Sequence, residues 1–428
     1  MNLAGKKVAY ITLGCKLNFS ETSTIKHSLE KAGTMTAGEK DDADIFVINT
    51  CSVTDMAEKK GRQLIRKIIH HHPEAYIVVV GCYAQLRAKE IMAIEGVDLV
   101  LGAGDKFNVA HYLQHLETVQ QHDPHSCDVF KLADFDLAYS FGDRTRCFLK
   151  IQDGCDYFCT YCTIPFARGR SRSATILQIK TAIREVAAKG IKEVILTGVN
   201  TGDFGRGGDE KFLDLIKELD QTDEIKRYRI SSVEPNLLTD EIIEFVARSR
   251  HFMPHFHIPL QSGSNEVLKL MHRRYSRELF AEKIKRIKSL LPDAFIGVDI
   301  IVGMRGETET FFQDSRDFIA ALPISRLHVF PYSERQGTKA LDIPFVVSQE
   351  DKHQRVSEML QISEQKLTQF YHQFASQTRP VLFEDNKIGK YICGFTDNYI
   401  KVQYPYDSQL ANQIIPVTLD SQTICMDE

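Results

Sequence analysis

The ten residues Asp153–Cys162, DGCDYFCTYC, carry three cysteines at C-x3-C-x2-C spacing. Thiolates this close in sequence are metal ligands or redox groups where the surroundings are reducing. Counting ligands narrows the choice. A structural zinc site is closed by four, and this stretch supplies three, with no fourth cysteine or histidine nearby. An iron–sulfur cluster held by three thiolates keeps one iron open to a small molecule. Tyr157, Phe158 and Tyr161, between the cysteines, would give such a cluster an apolar shell that limits water and shifts its potential. Zinc stays as the competing occupant.

A second trio is scattered. Cys15 ends ITLGC, Cys51 ends VINTC and Cys82 ends VVVGC, so each follows a strand-like run and precedes a helical pattern. Ligands in open parallel sheets collect at the carboxyl ends of strands, which predicts that these three converge. Any one of them alone reads as a small buried residue. The same topological position three times favours a shared ligand.

The elements that must hold these residues follow from the apolar periodicity. Val8–Leu13, Asp44–Asn49, Tyr76–Val80 and Val97–Leu101 alternate with polar helical stretches, the pattern of an open parallel α/β domain, placed at 1–118. A linker is expected at 119–142. Over 143–375 the alternation resumes on a larger scale, with strands at Phe148–Ile151, Glu193–Thr197, Arg229–Val233, His255–Ile258, Ala294–Ile301 and Leu327–Phe330. About six such units make a partial β/α barrel. Short strands after Pro380 predict a small β-barrel at 376–428. The fold class is therefore α/β with a small all-β tail.

Composition bounds the rest. A chain of 428 residues, 43% hydrophobic and 26% charged, is an ordinary globular protein too long for one core. No apolar run reaches membrane-spanning length and the start lacks a signal-peptide pattern; ten cysteines are too few for a disulfide scaffold. A cytoplasmic location without a membrane partner is expected. A net charge of -4 gives no global footprint for nucleic acid, so any RNA surface must be local.

The string GCDYFCTYCTIPFARGRSRS resembles the methylthiotransferase branch of the radical S-adenosylmethionine enzymes. The likeness continues through NTCSVTDMAEKKGRQLIRK, VVVGCYAQ, ILTGVNTGDFG, RISSVEPN, HFHIPLQSGSNEVLKLMHRRYS, DIIVG and HVFPYSERQGTKA, nearly the whole chain, and the tail resembles a TRAM module. The resemblance implies two [4Fe-4S] clusters. One, at Cys155, Cys159 and Cys162, is the catalytic centre, whose open iron holds S-adenosylmethionine; the other is held by Cys15, Cys51 and Cys82. It further implies cofactor contacts from Thr197, Gly198, Val199 and Asn200, where the residues alone read as a strand-to-helix turn. Ser232, Glu234 and Gln261 are candidates for the same cofactor, and Arg274 for its carboxylate, since a guanidinium matches a carboxylate bidentately. His257 reads equally well as a core histidine. Met304, Arg305 and Glu334 depart from the family's usual blocks.

Within that branch, TLGCKLNFSET and NTCSVTDMAEKKGRQLIR look most like the group that converts N6-threonylcarbamoyladenosine at tRNA position 37 to its 2-methylthio derivative. That group uses two S-adenosylmethionine molecules. The implied partners are ANN-decoding tRNA carrying that nucleoside and an electron donor such as flavodoxin or ferredoxin. Rival readings are methylthiolation of isopentenyl-adenosine tRNA or of a ribosomal-protein aspartate, and, outside catalysis, an iron–sulfur RNA-binding or electron-transfer protein. Candidate RNA contacts are Arg168, Arg170 and Arg172 beside the cysteine motif, and Tyr399 and Lys401 in the tail.

Overall fold

The structure, a computed structural model, describes residues 1–39, 41–116, 124–142 and 145–425. Positions 119–123 of the expected linker lie outside the described residues. The chain gathers into two compact units. The first is Met1–Ser140, Phe148–Ala174 and Ser333–Thr338; the second is Phe141–Cys147, Thr175–Tyr332 and Lys339–Glu428. The C-x3-C-x2-C loop thus packs in the same unit as the N-terminal sheet. No helix among the described residues is long and apolar enough to cross a membrane.

The first unit is built on strands β1 (Lys7–Thr12), β2 (Met35–Ala37), β3 (Ile45–Thr50), β4 (Tyr76–Gly81) and β5 (Leu99–Leu101), ordered β2-β1-β3-β4-β5. All of their pairings are parallel. Successive strand residues point to opposite faces, and both faces are covered here. Val8, Ile45, Val47, Val78 and Val80 pack with Ile25 and Leu29 of the helix Lys16–Lys31. Ala9, Phe46, Ile48, Ile77 and Val79 pack with Ile65 and Ile68 of the helix Asp55–His71. Burial on both faces explains why these strands read as continuous apolar runs. Thr54 caps the second helix by accepting the Ala57 N–H, and Asp55 and Glu58 occupy its first turn, where acids favour the helix dipole.

In the second unit, Glu193–Thr197 pairs in parallel with Arg227–Ile230, and His255–His257 with Phe295–Val302, which pairs in turn with Arg326–Pro331. Parallel bridges Tyr228↔Phe252 and Ser232↔His257 join the two sets into one arc, a partial β/α barrel. The tail forms an antiparallel sheet of Thr378–Ile388, Tyr391–Thr396, Lys401–Pro405 and Ile414–Thr418. Its core of Val381, Phe383, Ile392 and Val402 is shared with Phe370 and Phe374, at the end of the long helix Gln349–His372 and just beyond it.

A charged cluster lies where the barrel strands begin. Arg229 bonds Glu193 through Nε at 2.9 Å and donates to the Thr396 and Asp397 carbonyls at 2.7 and 2.8 Å. Arg227 donates to the Pro380 and Phe395 carbonyls. Burial would raise the Glu193 carboxyl, but Arg229 and Arg146 outweigh it and hold the group below its ordinary value. The tail is therefore tied to the barrel by side chain to backbone bonds that a buried carboxylate keeps in place. Removing one partner of such a cluster leaves a buried charge uncompensated. Glu193→Gln is expected to cost about 3–5 kcal/mol, read from the denaturant midpoint of the purified chain; an unshifted midpoint would show that the cluster adds no stability.

Candidate functional site

The strand order of the first unit reverses between β1 and β3, and open α/β sheets bind ligands at such a switch point. Cys15 follows β1, Cys51 follows β3, and Cys82 opens the short helix after β4. The thiols come together there. A β-carbon on Gly14, at φ +115°, would stand 2.8 Å from the Cys51 Cβ and 3.2 Å from its Sγ, so only glycine lets the Cys15 turn approach so closely. Burial pushes the Cys51 thiol up to about 12, with Cys82 and Cys15 pushing the same way; burial raises Cys82 as well. Thiols that oppose one another's ionisation fit a site where metal displaces their protons.

The second trio sits on a loop pinned from several sides. The Cys155 N–H donates to the Gly169 carbonyl at 3.0 Å, and the Cys162 N–H to the Cys159 carbonyl at 3.0 Å. Gly154 precedes them at φ +73°, and a β-carbon there would lie 2.0 Å from the Arg170 carbonyl oxygen. The Ile164 N–H points at the Cys162 Sγ, 3.4 Å away, the kind of donor to sulfur that tunes an iron–sulfur cluster. Cys159 is buried, whereas Cys155 and Cys162 are half-buried. Three thiols with a backbone donor to sulfur fit a cluster with an open iron.

A buried ionic network joins the two trios. Arg168, six residues after Cys162, bonds Glu21 and Asp153 at 2.8 and 2.9 Å and Asn18 at 2.8 Å. Lys106 reaches Glu21 at 2.6 Å and Lys150 reaches Asp153 at 3.3 Å. Glu21 and Asn18 lie on the helix that Cys15 introduces. With Arg172, 3.9 Å from Asp153, four basic groups thus face two carboxylates. Burial opposes the Arg168 charge, but Cys82, Glu21, Asp153 and Cys15 around it outweigh burial. The surplus positive charge faces the N-terminal thiols, which suits an anionic thiolate cluster.

In the second unit the loops after the barrel strands interlock. The Glu234 N–H donates to the Asn200 side chain, and the Thr201 N–H and hydroxyl both donate to the Ser232 carbonyl. Thr197 and Asn200 are buried, and the block runs Thr197-Gly198-Val199-Asn200 at the strand's end. Gln261, at φ +69°, is fixed by backbone bonds to Asp299 and Ile301. Arg274 is exposed; its neighbour Arg273 pairs with Glu234 and lies over the Tyr275 ring. Burial pushes the Glu234 carboxyl up, with Arg273 acting against it. His257 bonds Asp299 at 2.8 Å, with His328 at 3.8 Å on the next strand. Met304 is fully buried and Arg305 donates to the Leu341 and Ile343 carbonyls, so packing accounts for both departures.

Known proteins share these features. The Radical SAM superfamily profile matches residues 149–319, and that of the Uncharacterized protein family UPF0004 matches residues 7–102. A Threonylcarbamoyladenosine tRNA methylthiotransferase MtaB of Bacillus subtilis is 39% identical over 96% of this chain and 93% of its own. The chain belongs to the radical S-adenosylmethionine methylthiotransferase family. It is an enzyme that transfers a sulfur-containing group, and its family chemistry requires S-adenosylmethionine and a [4Fe-4S] cluster. A Rickettsia prowazekii protein of the same name is 37% identical over 92% of this chain and 90% of its own, and a tRNA-2-methylthio-N(6)-dimethylallyladenosine synthase of Pelotomaculum thermopropionicum 31% over 97% and 95%. Among solved structures, the radical S-adenosylmethionine methyltransferase TsrM of Kitasatospora setae aligns with TM-score 0.57 and 13% identity over 76% of this chain and 73% of its own. At that identity the likeness is one of fold.

The structure redistributes the RNA candidates of this methylthiotransferase. Arg168 is fully buried in the ionic network, so it has no face for RNA. Arg172 donates to the Asp134, Arg168 and Arg170 carbonyls, whereas Arg170 keeps 59% of its side chain exposed. Tyr399 plugs the barrel where its strands begin, packed on His255, Phe295 and Phe395 beneath Arg229. Lys401 is half-buried. On the tail the exposed rings are Tyr404 and Tyr406, the latter under Lys387 at 4.7 Å. Sequence reasoning missed Arg273, the Glu21 network, and Arg335, which bonds Glu58 and, at 2.9 Å, the Ser52 hydroxyl next to Cys51. Their partners lie 39 residues away for Arg273, 147 for Arg168 with Glu21 and 277 for Arg335 with Glu58, and no local spacing marks them.

Burial would raise the Glu21 carboxyl, but Arg168, Lys106 and Lys150 bring it down to about 2. A carboxyl lowered on folding stabilises fully above its unfolded value of 4.5 and loses that contribution as pH falls toward 2. The downward shift is worth about 3 kcal/mol. Acid titration of the cluster-free chain is expected to show its stability falling below pH 4.5 more steeply than that of Glu21→Gln. Parallel curves would remove Glu21 as a cause.

Proposed function

We propose that this methylthiotransferase places a methylthio group on C2 of N6-threonylcarbamoyladenosine at position 37 of ANN-decoding tRNA in the cytoplasm, consuming two S-adenosylmethionine molecules. The observation that carries the two-cluster reading is the meeting of Cys15, Cys51 and Cys82 at the switch point of one sheet. The nucleoside follows the relatives named for it, at 39% and 37% identity against 31% for the dimethylallyladenosine synthase.

In this reading Cys155, Cys159 and Cys162 hold one [4Fe-4S] cluster and Cys15, Cys51 and Cys82 the other. When bound and reduced by a donor such as flavodoxin or ferredoxin, the first cluster and S-adenosylmethionine supply a 5'-deoxyadenosyl radical able to take hydrogen from an unactivated carbon. The chain's own residues position and shield. Thr197, Gly198, Val199, Asn200, Ser232, Glu234 and Gln261 line the strand ends that receive the cofactor, and Arg273 orients Glu234. Arg168 holds the two cysteine elements in one unit, and proximity of reacting groups is itself a large share of the rate. Tyr404, Tyr406, Lys387 and Lys390 are the solvent-facing candidates for tRNA on the tail, through phosphate contacts and stacking.

The anaerobically reconstituted chain, given S-adenosylmethionine, reductant, sulfide and tRNA, is expected to add the methylthio mass to N6-threonylcarbamoyladenosine alone. Cys51→Ala is expected to lower iron from about eight to about four atoms per chain, keep reductive cleavage of S-adenosylmethionine and abolish the product. A methylthio mass on isopentenyl-adenosine instead would replace the substrate, and no cleavage at all would overturn the catalytic reading.

A further inference from the structure

The loop carrying Cys155, Cys159 and Cys162 has an outward face with chemistry of its own. Phe158 lies between two of those cysteines, Phe166 four residues beyond the third, and Phe130 in the single turn Val129–Lys131. The three rings form one group, with centroids 6.0 to 6.1 Å apart. Phe130 is 43% exposed and Phe166 42%. Contiguous exposed aromatic surface of this kind marks an interaction site. The Arg170 guanidinium lies over Phe130 at 5.8 Å and Phe158 at 5.1 Å. Lys131, with 84% of its side chain exposed, stands 3.8 Å from Asp128, and Arg170 3.4 Å from Asp156, so the rim carries both signs. An aromatic centre with arginine and a charged rim has the composition of a protein-interface hot spot.

We propose that Phe130, Phe158, Phe166 and Arg170 dock a small acidic redox protein that reduces the cluster held by Cys155, Cys159 and Cys162. Phe130 and Phe158 turn their faces toward each other and toward Arg170, and Phe166 meets both edge-on. The trio is therefore built as an apolar knob and not as the open stacking platform that single-stranded RNA uses. Phe158 stands within the cysteine motif and Phe166 just beyond it, so a donor seated on them meets the loop that carries the thiols. Electron-transfer contacts are small and transient, a scale that three rings and a guanidinium match. Arg170, 59% exposed over the rings, gives an acidic group of the partner a guanidinium at the centre of the patch. The donor loses one electron, the cluster gains it, and no covalent bond forms between the proteins.

The inference rests on the family's cluster chemistry and not on the choice of nucleoside, so failure to methylthiolate tRNA leaves its test intact. Binding of oxidised flavodoxin to the reconstituted full chain is measured by titration, alongside tRNA binding and S-adenosylmethionine cleavage driven either by flavodoxin hydroquinone or by dithionite. Phe130→Glu is expected to weaken flavodoxin binding about tenfold or more and to slow the flavodoxin-driven reaction, with tRNA affinity and the dithionite-driven reaction unchanged. Phe130→Leu, which keeps the site apolar, is expected to retain binding within about twofold of the parent. Flavodoxin that does not bind the parent chain, or binds Phe130→Glu equally well, overturns the proposal. A loss of tRNA affinity equal to or greater than that for flavodoxin assigns the patch to RNA instead.

Discussion

Arg168 meeting Glu21 in the dark of the first unit is the contact on which the site depends. A guanidinium so deeply buried is expensive unless carboxylates and hydrogen-bond acceptors surround it, and Glu21, Asp153 and Asn18 do so. The residues it joins belong to the helix after Cys15 and the strand before Cys155. Both trios of thiols are therefore referred to one rigid point. Lys106 and Lys150 add charge to the same place, so basic groups outnumber carboxylates beside the N-terminal thiols.

The second unit repeats the device at the opposite end of its barrel strands from the loops of Asn200, Ser232 and Glu234. Glu193 gathers Arg229, Arg227 and Arg146, and the arginines pass their remaining donors to main-chain carbonyls of the tail. Tyr399 seals the same end against His255 and Phe295. At the carboxyl ends of the strands Asn200, Ser232 and Glu234 are tied together, while the strand beginnings carry the ionic cluster.

Much of this was legible in the residues. The parallel strands of the first unit are buried on both faces, so apolar runs marked them and the cysteines at their ends. The barrel strands showed as apolar runs as well, whereas the tail, whose strands are half exposed, showed only as a change to short strands after Pro380. What was hidden depends on partners distant in sequence. Arg273 and Arg274 are adjacent and chemically identical, and the turn between the helices Asn265–Leu270 and Arg277–Leu290 brings only the first to Glu234. Arg168 reads as a basic residue beside a cluster motif until Glu21, 147 positions earlier, is placed against it. Tyr399 reads as an exposed ring until its φ of +69° and the barrel end beneath it are known.

The segment Ser333–Thr338 belongs to the first unit although the whole barrel is encoded before it. Arg335 there completes the cage of Ser52 and Glu58 beside Cys51. Chains fold largely in the order of their synthesis, yet this unit stays short of one wall until residue 338 has left the ribosome. Cys51 is consequently among the first residues made, and the cage beside it among the last parts of its unit to close.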